Sequence, residues 1–292
     1  MASVVLPERL PIGVTGADAE HLLHNVLTCD ITALPEGVAR PGALLTPQGK
    51  VMFDFLVGRD GEGFVIDIDG AQADAFLKRM MLYRLRSKVE FDKRDQMVVV
   101  ASWDGDSAAS QSDSTPVLRD ERFAATAVTR THLPAETKID DTAPLWQWHR
   151  LRIDNGVPES GDDFELGDAF GHDISLDQNG GLDFRKGCYV GQEVVSRMQH
   201  RGTARRRVVI VTAEGPLPAT GTEISAGGKP AGTLGTVVED RGLAIVRLDR
   251  IKGATDKGEP VVAGEIPVSV QLPPNVTYGW PGEAGPDGDA DA

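Results

Sequence analysis

Leu182-Asp183-Phe184-Arg185-Lys186-Gly187-Cys188-Tyr189-Val190-Gly191-Gln192-Glu193 is the stretch on which the reading of this chain turns. A thiol does chemistry as its thiolate, and cationic neighbours or a helix N-terminus lower its pKa. Arg185 and Lys186 supply the cations, Gly187 and Gly191 bracket the thiol with residues that permit tight turns, and Glu193 to Met198 is rich in helix formers. The stretch predicts Cys188 on a loop entering a helix. Two readings fit at this level: a presented thiol, or a buried cysteine in a turn whose glycines serve packing alone.

Charge is distributed unevenly around this motif. From Arg185 to Arg207 there are seven Lys or Arg against one acid, Glu193, whereas Asp154 to Asp183 holds nine acids and no Lys or Arg. The basic window attracts anions, or the two blocks neutralise each other across a surface. The stretch from Glu159 to Gly181 lacks periodicity, and loops of that length tend to be functional or mobile.

Upstream, Thr15 to Cys29 reads as a helix with Leu22, Leu23, Val26 and Leu27 on one face, and Asp18 as partner to a Thr15 cap. Ala43 to Thr46 and Val51 to Val57 read as a hairpin about Pro47-Gln48-Gly49, followed by a strand over Phe64 to Ile68. A helix opens at Gly70 with Phe76, Leu77, Met80 and Met81 at helical spacing, and strands follow near Lys88 to Phe91 and Met97 to Trp103. This predicts an α+β unit over residues 1–106, its helices covering one side of a mostly antiparallel sheet. Ser107 to Thr115 reads as a linker or exposed loop. A middle α+β unit over 116–202 contains a helix from Pro144 to Asn155, with Leu145, Trp148, Leu151 and Arg152 at helical spacing and a Gly156, Pro158 stop. Short β-type runs between Arg207 and Leu272 predict a small antiparallel barrel or sandwich over 203–275, and 281–292 reads as a disordered acidic tail.

Composition sets outer limits. The 292 residues carry 30 Lys and Arg against 44 Asp and Glu, a net charge of −14, which disfavours nucleic-acid binding as the main activity. No apolar run approaches a membrane span and no secretory signal is visible, so a cytoplasmic address is expected. Two cysteines, Cys29 and Cys188, fall short of a disulfide framework or of the four thiolates of an iron-sulfur cluster. Phosphate-loop, dinucleotide and serine-hydrolase motifs are absent from the sequence. His21 and His24 read as surface or packing residues. Asp67 and Asp69 share a strand face and read as solvated, although paired carboxylates can serve acid-base chemistry.

The string Lys186-Gly187-Cys188-Tyr189-x-Gly191-Gln192-Glu193 resembles the signature of the YgfZ family, folate-binding proteins related to the T-protein, the aminomethyltransferase of the glycine cleavage system. The resemblance extends to Thr15-Gly16-Ala17-Asp18, to Leu27-Thr28-Cys29-Asp30-Ile31-Thr32, to the hairpin of Leu44 to Phe55, to Arg150 to Pro158, and to His200-Arg201-Gly202 through Arg207. It spans about residues 10–270 and looks closest to bacterial relatives of the mitochondrial iron-sulfur assembly member.

The resemblance implies an α+β, T-protein-like ring of three domains with a C-terminal antiparallel β-barrel. It implies a tetrahydrofolate-dependent role in assembling or repairing iron-sulfur clusters of client enzymes, including tRNA methylthiotransferases. By the same match, Cys188 is the functional cysteine, Lys186 the motif lysine, and Trp148 a folate contact. The N-terminal folate-contacting tryptophan of some members has no match here, the corresponding position being near Arg9. The candidate folate set is Trp148, Arg185, Gln192, Glu193, Arg197 and Asp177: a flat pterin stacks on an aromatic, an anionic glutamate tail suits arginines, and ring nitrogens are met by carboxylates or amides. No metal is assigned to the chain itself, and neither nucleic acid nor membrane is expected as a direct partner. A folate-dependent aminomethyltransferase or other one-carbon transfer enzyme is the alternative, and an RNA or protein adaptor the weakest reading.

Overall fold

The computed structural model describes residues 2–104, 116–139, 142–202 and 204–282. The Ser107 to Thr115 linker and residues 283–292 of the expected tail lie outside them. The described chain divides into two compact units, one of residues 1–145 with 179–196, the other of residues 146–178 with the chain from 197 onward.

The first unit runs β1 (Ala2–Leu6), β2 (Arg9–Thr15), α1 (Ala19–Val26), β3 (Val38–Leu45), β4 (Val51–Asp60), β5 (Gly63–Asp69), α2 (Gly70–Arg84), β6 (Glu90–Lys93), β7 (Met97–Trp103), β8 (Val117–Asp120) and β9 (Thr129–Pro134). These strands form one sheet in the order β1-β7-β9-β8-β3-β4-β5-β2-β6, antiparallel except where β3 meets β8. Its core is built by alternation. Phe53 and Phe55 project from one face of β4 onto Phe76 of α2, with ring centroids 5.6 Å apart in each pair, while α1 contributes Leu22, Leu23 and Val26.

The expected boundary at residue 116 is not where the structure divides. β8 and β9 hydrogen-bond into the first sheet, Val38 opposing Arg119 and Val100 opposing Thr131. A buried ionic network reinforces this: Arg130 of β9 reaches Asp120 of β8 at 3.1 Å and Asp67 of β5 at 3.3 Å, and Arg9 of β2 reaches Asp67 at 2.7 Å. Asp67 is therefore buried and paired instead of solvated, and Asp69 accepts a hydrogen bond from the Ala71 amide as the N-cap of α2. The first helix is shorter than expected because Gly16, at φ +112°, breaks the helical path; Asp18 accepts from the Lys88 amide instead of completing a capping box with Thr15.

The second unit contains α3 (Leu145–Asn155), and the boundary between units falls inside α4 (Gln192–Arg201). There follow β10 (Arg206–Thr212), β11 (Glu223–Ala226), β12 (Lys229–Val238), β13 (Arg241–Arg247), α5 (Leu248–Thr255), β14 (Val261–Ala263), β15 (Ile266–Pro267) and β16 (Ser269–Gln271). The seven strands are ordered β15-β14-β11-β12-β13-β10-β16, every pair antiparallel, around a core of Val209, Val211, Ile224, Leu234 and Val246.

The acidic stretch after α3 is packed and hydrogen-bonded within this unit. Arg152, fully buried, donates to Asp163 at 2.8 Å, to the Val157 carbonyl and to Thr236 of β12, and lies 3.2 Å from Glu159. Residues 171–176 are buried in successive turns. The mutual neutralisation of the acidic and basic blocks is realised by Arg206 with Asp168 at 3.0 Å and Arg207 with Asp177 at 2.8 Å. Among the described residues no helix is long and apolar enough to cross a membrane.

Candidate functional site

The cysteine motif is a loop of the first unit, anchored on both sides of its thiol. Asp183 starts it: its amide donates to the Thr28 carbonyl at 3.0 Å, and its Oδ1 accepts from the amides of Arg185 at 2.7 Å and Lys186 at 2.8 Å. Thr28 also donates its hydroxyl to the Gly181 carbonyl and accepts from the Ala43 amide, tying the loop entry to β3.

Lys186 then turns inward. Its ammonium donates to the carbonyls of His24, Leu27 (2.6 Å) and Cys29 (3.0 Å), around the end of α1 where carbonyls lack intrahelical partners. Burial pushes the pKa of this lysine down, and Asp30 and Asp183 oppose the shift. The expectation that Lys186 serves as the cation activating the thiol is thus corrected: its N–H bonds hold the loop on α1, so it positions Cys188.

On the far side of the thiol, Tyr189 is buried with its ring 5.3 Å from the Lys186 ammonium. Burial raises its phenol above the ordinary range, and its hydroxyl has no hydrogen-bond partner among the described residues. Gly191, at φ +83°, lies against the β3–β4 turn so closely that a Cβ there would sit 2.6 Å from the Thr46 carbonyl oxygen. α4 starts at Gln192, with Glu193 in its first turn.

Between these anchors Gly187 and Cys188 are exposed. This is the presented-thiol geometry: backbone fixed on both flanks and sulfur accessible. Cys29 is the opposite case, fully buried against Gly42 with its thiol pushed up to about 11 by burial. It is a core residue.

Beside the loop opens a cleft of about 780 Å³ whose rim includes Asp30, Arg40, Arg119, Glu121, Asp183 and Arg185. Arg40 is engaged with Glu121 at 2.9 Å and with the Asp30 carbonyl; Arg119, exposed, reaches the other oxygen of Glu121 at 3.4 Å, and Arg185 is exposed. Burial opposes ionisation of Asp30, yet hydrogen bonds from Thr32 and Ala33 and the nearby His24 imidazole hold its carboxyl below the usual range.

The remaining sequence-selected residues fall elsewhere or are already engaged. Trp148 is 1% exposed, within the second unit, and offers no stacking face; Trp146, two positions earlier, is 54% exposed. The run Leu145, Trp148, Leu151, Arg152 already marked Trp148 as facing the core, so the burial signal was present in the helix pattern. Asp177 is held by Arg207 through both carboxylate oxygens, at 2.8 and 2.9 Å, and so is not available to a pterin. Gln192 is half-buried, and Glu193 and Arg197 are exposed on α4. Sequence reasoning missed Thr28 and Asp183, the groups that fix the loop. Asp183-x-Arg185, an Asx turn at the motif's start, was the available signal.

A tetrahydrofolate has a partial fit to these residues. The cleft has the volume of a small-molecule site, and Arg119 and Arg185 suit the anionic tail, whereas Trp148 and Asp177 do not serve as pterin contacts.

Comparison with known proteins gives this geometry a context. Residues 205–278 match the family described as CAF17, C-terminal beta-barrel domain. A solved structure, the glycine cleavage system aminomethyltransferase T from Bartonella henselae, superposes with a TM-score of 0.74 over 94% of this chain and 85% of that one, at 14% identity. The fold is therefore T-protein-like, α+β with a C-terminal antiparallel β-barrel. The chain is 28% identical to the mitochondrial iron-sulfur cluster assembly factor IBA57 of Homo sapiens, over 90% of this chain and 83% of that protein. It is 31% identical to the mitochondrial IBA57 homolog of Pyricularia oryzae, over 89% of this chain and 75% of that protein. These relatives are mitochondrial, which overturns the cytoplasmic expectation: absence of a secretory signal had no power to distinguish the two addresses. At that identity, sustained over most of both sequences, the chain belongs to the family of the iron-sulfur cluster assembly factor IBA57.

Proposed function

We propose that this chain is a YgfZ-type, tetrahydrofolate-binding factor that assembles or repairs iron-sulfur clusters in client enzymes, tRNA methylthiotransferases among them, with Cys188 as its working thiolate. The observation that carries the reading is the exposed Cys188 between the buried anchors Lys186 and Tyr189.

Cluster iron takes four ligands, and among the described residues no group of three His, Cys, Asp or Glu could hold a metal ion. One sulfur is this chain's contribution, and the cluster is cargo. The Cys188 thiol loses its proton and its sulfur bonds to iron as one carrier or client thiolate leaves and takes up a proton, so the cluster passes between proteins with charge and ligand number conserved. Rigid flanks suit that exchange, because a pre-placed thiolate has little conformational entropy left to lose. Tetrahydrofolate, when bound, supplies a reduced pterin able to carry electrons or one-carbon units; Arg185 and Arg119 hold its anionic tail at the cleft.

The test is complementation of a deletion strain, scored by client cluster content and thiomethylated tRNA. Cys188→Ser is expected to keep its melting temperature and fail to restore either readout; full rescue overturns the thiolate role. Tetrahydrofolate at a hundredfold excess over Kd is expected to stabilise the wild-type protein by about 2.7 kcal/mol. An unchanged melting temperature at saturating folate removes the cofactor from the proposal and leaves the cluster role standing.

A further inference from the structure

The C-terminal half of α2 is apolar on two faces. One face packs Ala73, Phe76 and Met80 into the core. The other carries Met81, Leu82 and Leu85, exposed at 48%, 62% and 83%. With Lys78 they follow the i, i+3, i+4, i+7 spacing of a single outward stripe. Leu85, just past the helix end, holds φ +46°, a conformation leucine rarely adopts.

Charge along this segment is of one sign, with Asp74 and Glu90 at its two ends and Asp18 on the Lys88 amide. Residues 75–89 contain five cations and no acid in a chain of net −14, leaving −19 on the remainder. Lys78, Arg79, Arg86 and Lys88 have no carboxylate within ion-pair distance among the described residues; Arg84 donates to the Val89 carbonyl. Elsewhere Arg9, Arg130, Arg152 and Arg207 are each paired with an acid.

We propose that this end of α2 is an interfacial docking surface for an anionic lipid bilayer, with Met81, Leu82 and Leu85 entering the headgroup region and the surrounding cations meeting lipid phosphates. Charge complementarity selects an anionic occupant. The exposure of the apolar side chains favours a bilayer over a protein: protein hot spots are anchors seated in well-packed pockets, whereas Leu82 and Leu85, 62% and 83% exposed and flanked by cations, suit a soft, laterally mobile surface. The acidic remainder is repelled by the same membrane, and screening confines that repulsion to about 8 Å at physiological salt, so the basic, apolar end of α2 makes the contact. The expectation of no membrane partner rested on the lack of a spanning run, which interfacial binding does not need.

Sedimentation of the full chain with vesicles tests this. Binding is expected with phosphatidylcholine mixed with phosphatidylglycerol, to weaken about tenfold or more with phosphatidylcholine alone, and to fall similarly at high salt. The double variant Leu82→Glu, Leu85→Glu should lose vesicle binding while keeping the wild-type melting temperature, both side chains being exposed; Lys78→Glu with Arg86→Glu should do the same. Absence of binding to anionic vesicles overturns the proposal, as does equal binding by the Leu82→Glu, Leu85→Glu variant. Binding to soluble polyglutamate without vesicle binding also overturns it and assigns the surface to an acidic protein.

Discussion

Each N–H bond of the Lys186 ammonium has a carbonyl to point at, and those carbonyls belong to residues 157 to 162 positions away. Lys186→Met keeps the aliphatic stem and leaves the three acceptors without their charged donor. A loss of about 2–4 kcal/mol is expected in urea denaturation. The same titration on Cys188→Ser should shift by no more than about 0.5 kcal/mol, since an exposed side chain with no structural bond is replaced by an isostere. The contrast separates positioning from chemistry within one motif. From sequence, Lys186 read as a cation beside the thiol and not as a donor to α1, because an adjacent charge is visible in one dimension and a helix end far upstream is not. Trp148 and Asp177 erred for the same reason: stacking and hydrogen-bonding capacity belong to the residue type, whereas availability depends on whether Arg207 or the core has already taken it.

At the scale of elements, the motif and the β3–β4 hairpin are nested turns. A Cβ at Gly191 would meet the Thr46 carbonyl oxygen at 2.6 Å and the Gly49 Cα at 3.1 Å, and its φ of +83° disfavours any L side chain. Gly191→Ala is expected to cost about 1–3 kcal/mol and to raise proteolysis near Cys188, measured by melting and limited digestion. Gly202→Ala, also at positive φ but with open space around it, should show the backbone part of that penalty alone. Elements with strong periodicity were legible within a few residues: α2, β4, β7 and most barrel strands. β1 and β2 went unassigned from sequence: Pro7 separates them and Pro11 interrupts β2, although Pro11 lies beside the point where β6 begins to pair with β2. α5 was missed because eight residues with Leu248, Ile251 and Ala254 buried give too short a pattern to stand out.

Across the whole molecule, acid should act first through histidine. Burial lowers the pKa of His132, His149 and His172 below the ordinary 6.5, with Asp67 opposing the shift at His132 and Arg130 adding to it. Unfolded histidine binds its proton near 6.5 while the folded residue stays neutral, so stability falls as pH drops through that value. Asp67 and Asp120 behave otherwise: burial would raise them, but Arg9, Arg122 and Arg130 hold both below the ordinary 3.8, so their contribution is lost only under stronger acid. The melting temperature is therefore expected to decline between pH 7.5 and pH 5.5, and His132→Gln to flatten that decline. A level profile for the wild-type chain would contradict buried, neutral histidines.

The Lys186 socket also fixes an order of events during synthesis. The ribosome delivers the end of α1 long before it delivers residue 186, so the amino-terminal half emerges with its acceptors still waiting for their ammonium. Only when that late residue docks is the sulfur two positions beyond it set in place. A partly made polypeptide thus has no fixed geometry at Cys188, and chain order makes this loop one of the last parts of the first unit to be set.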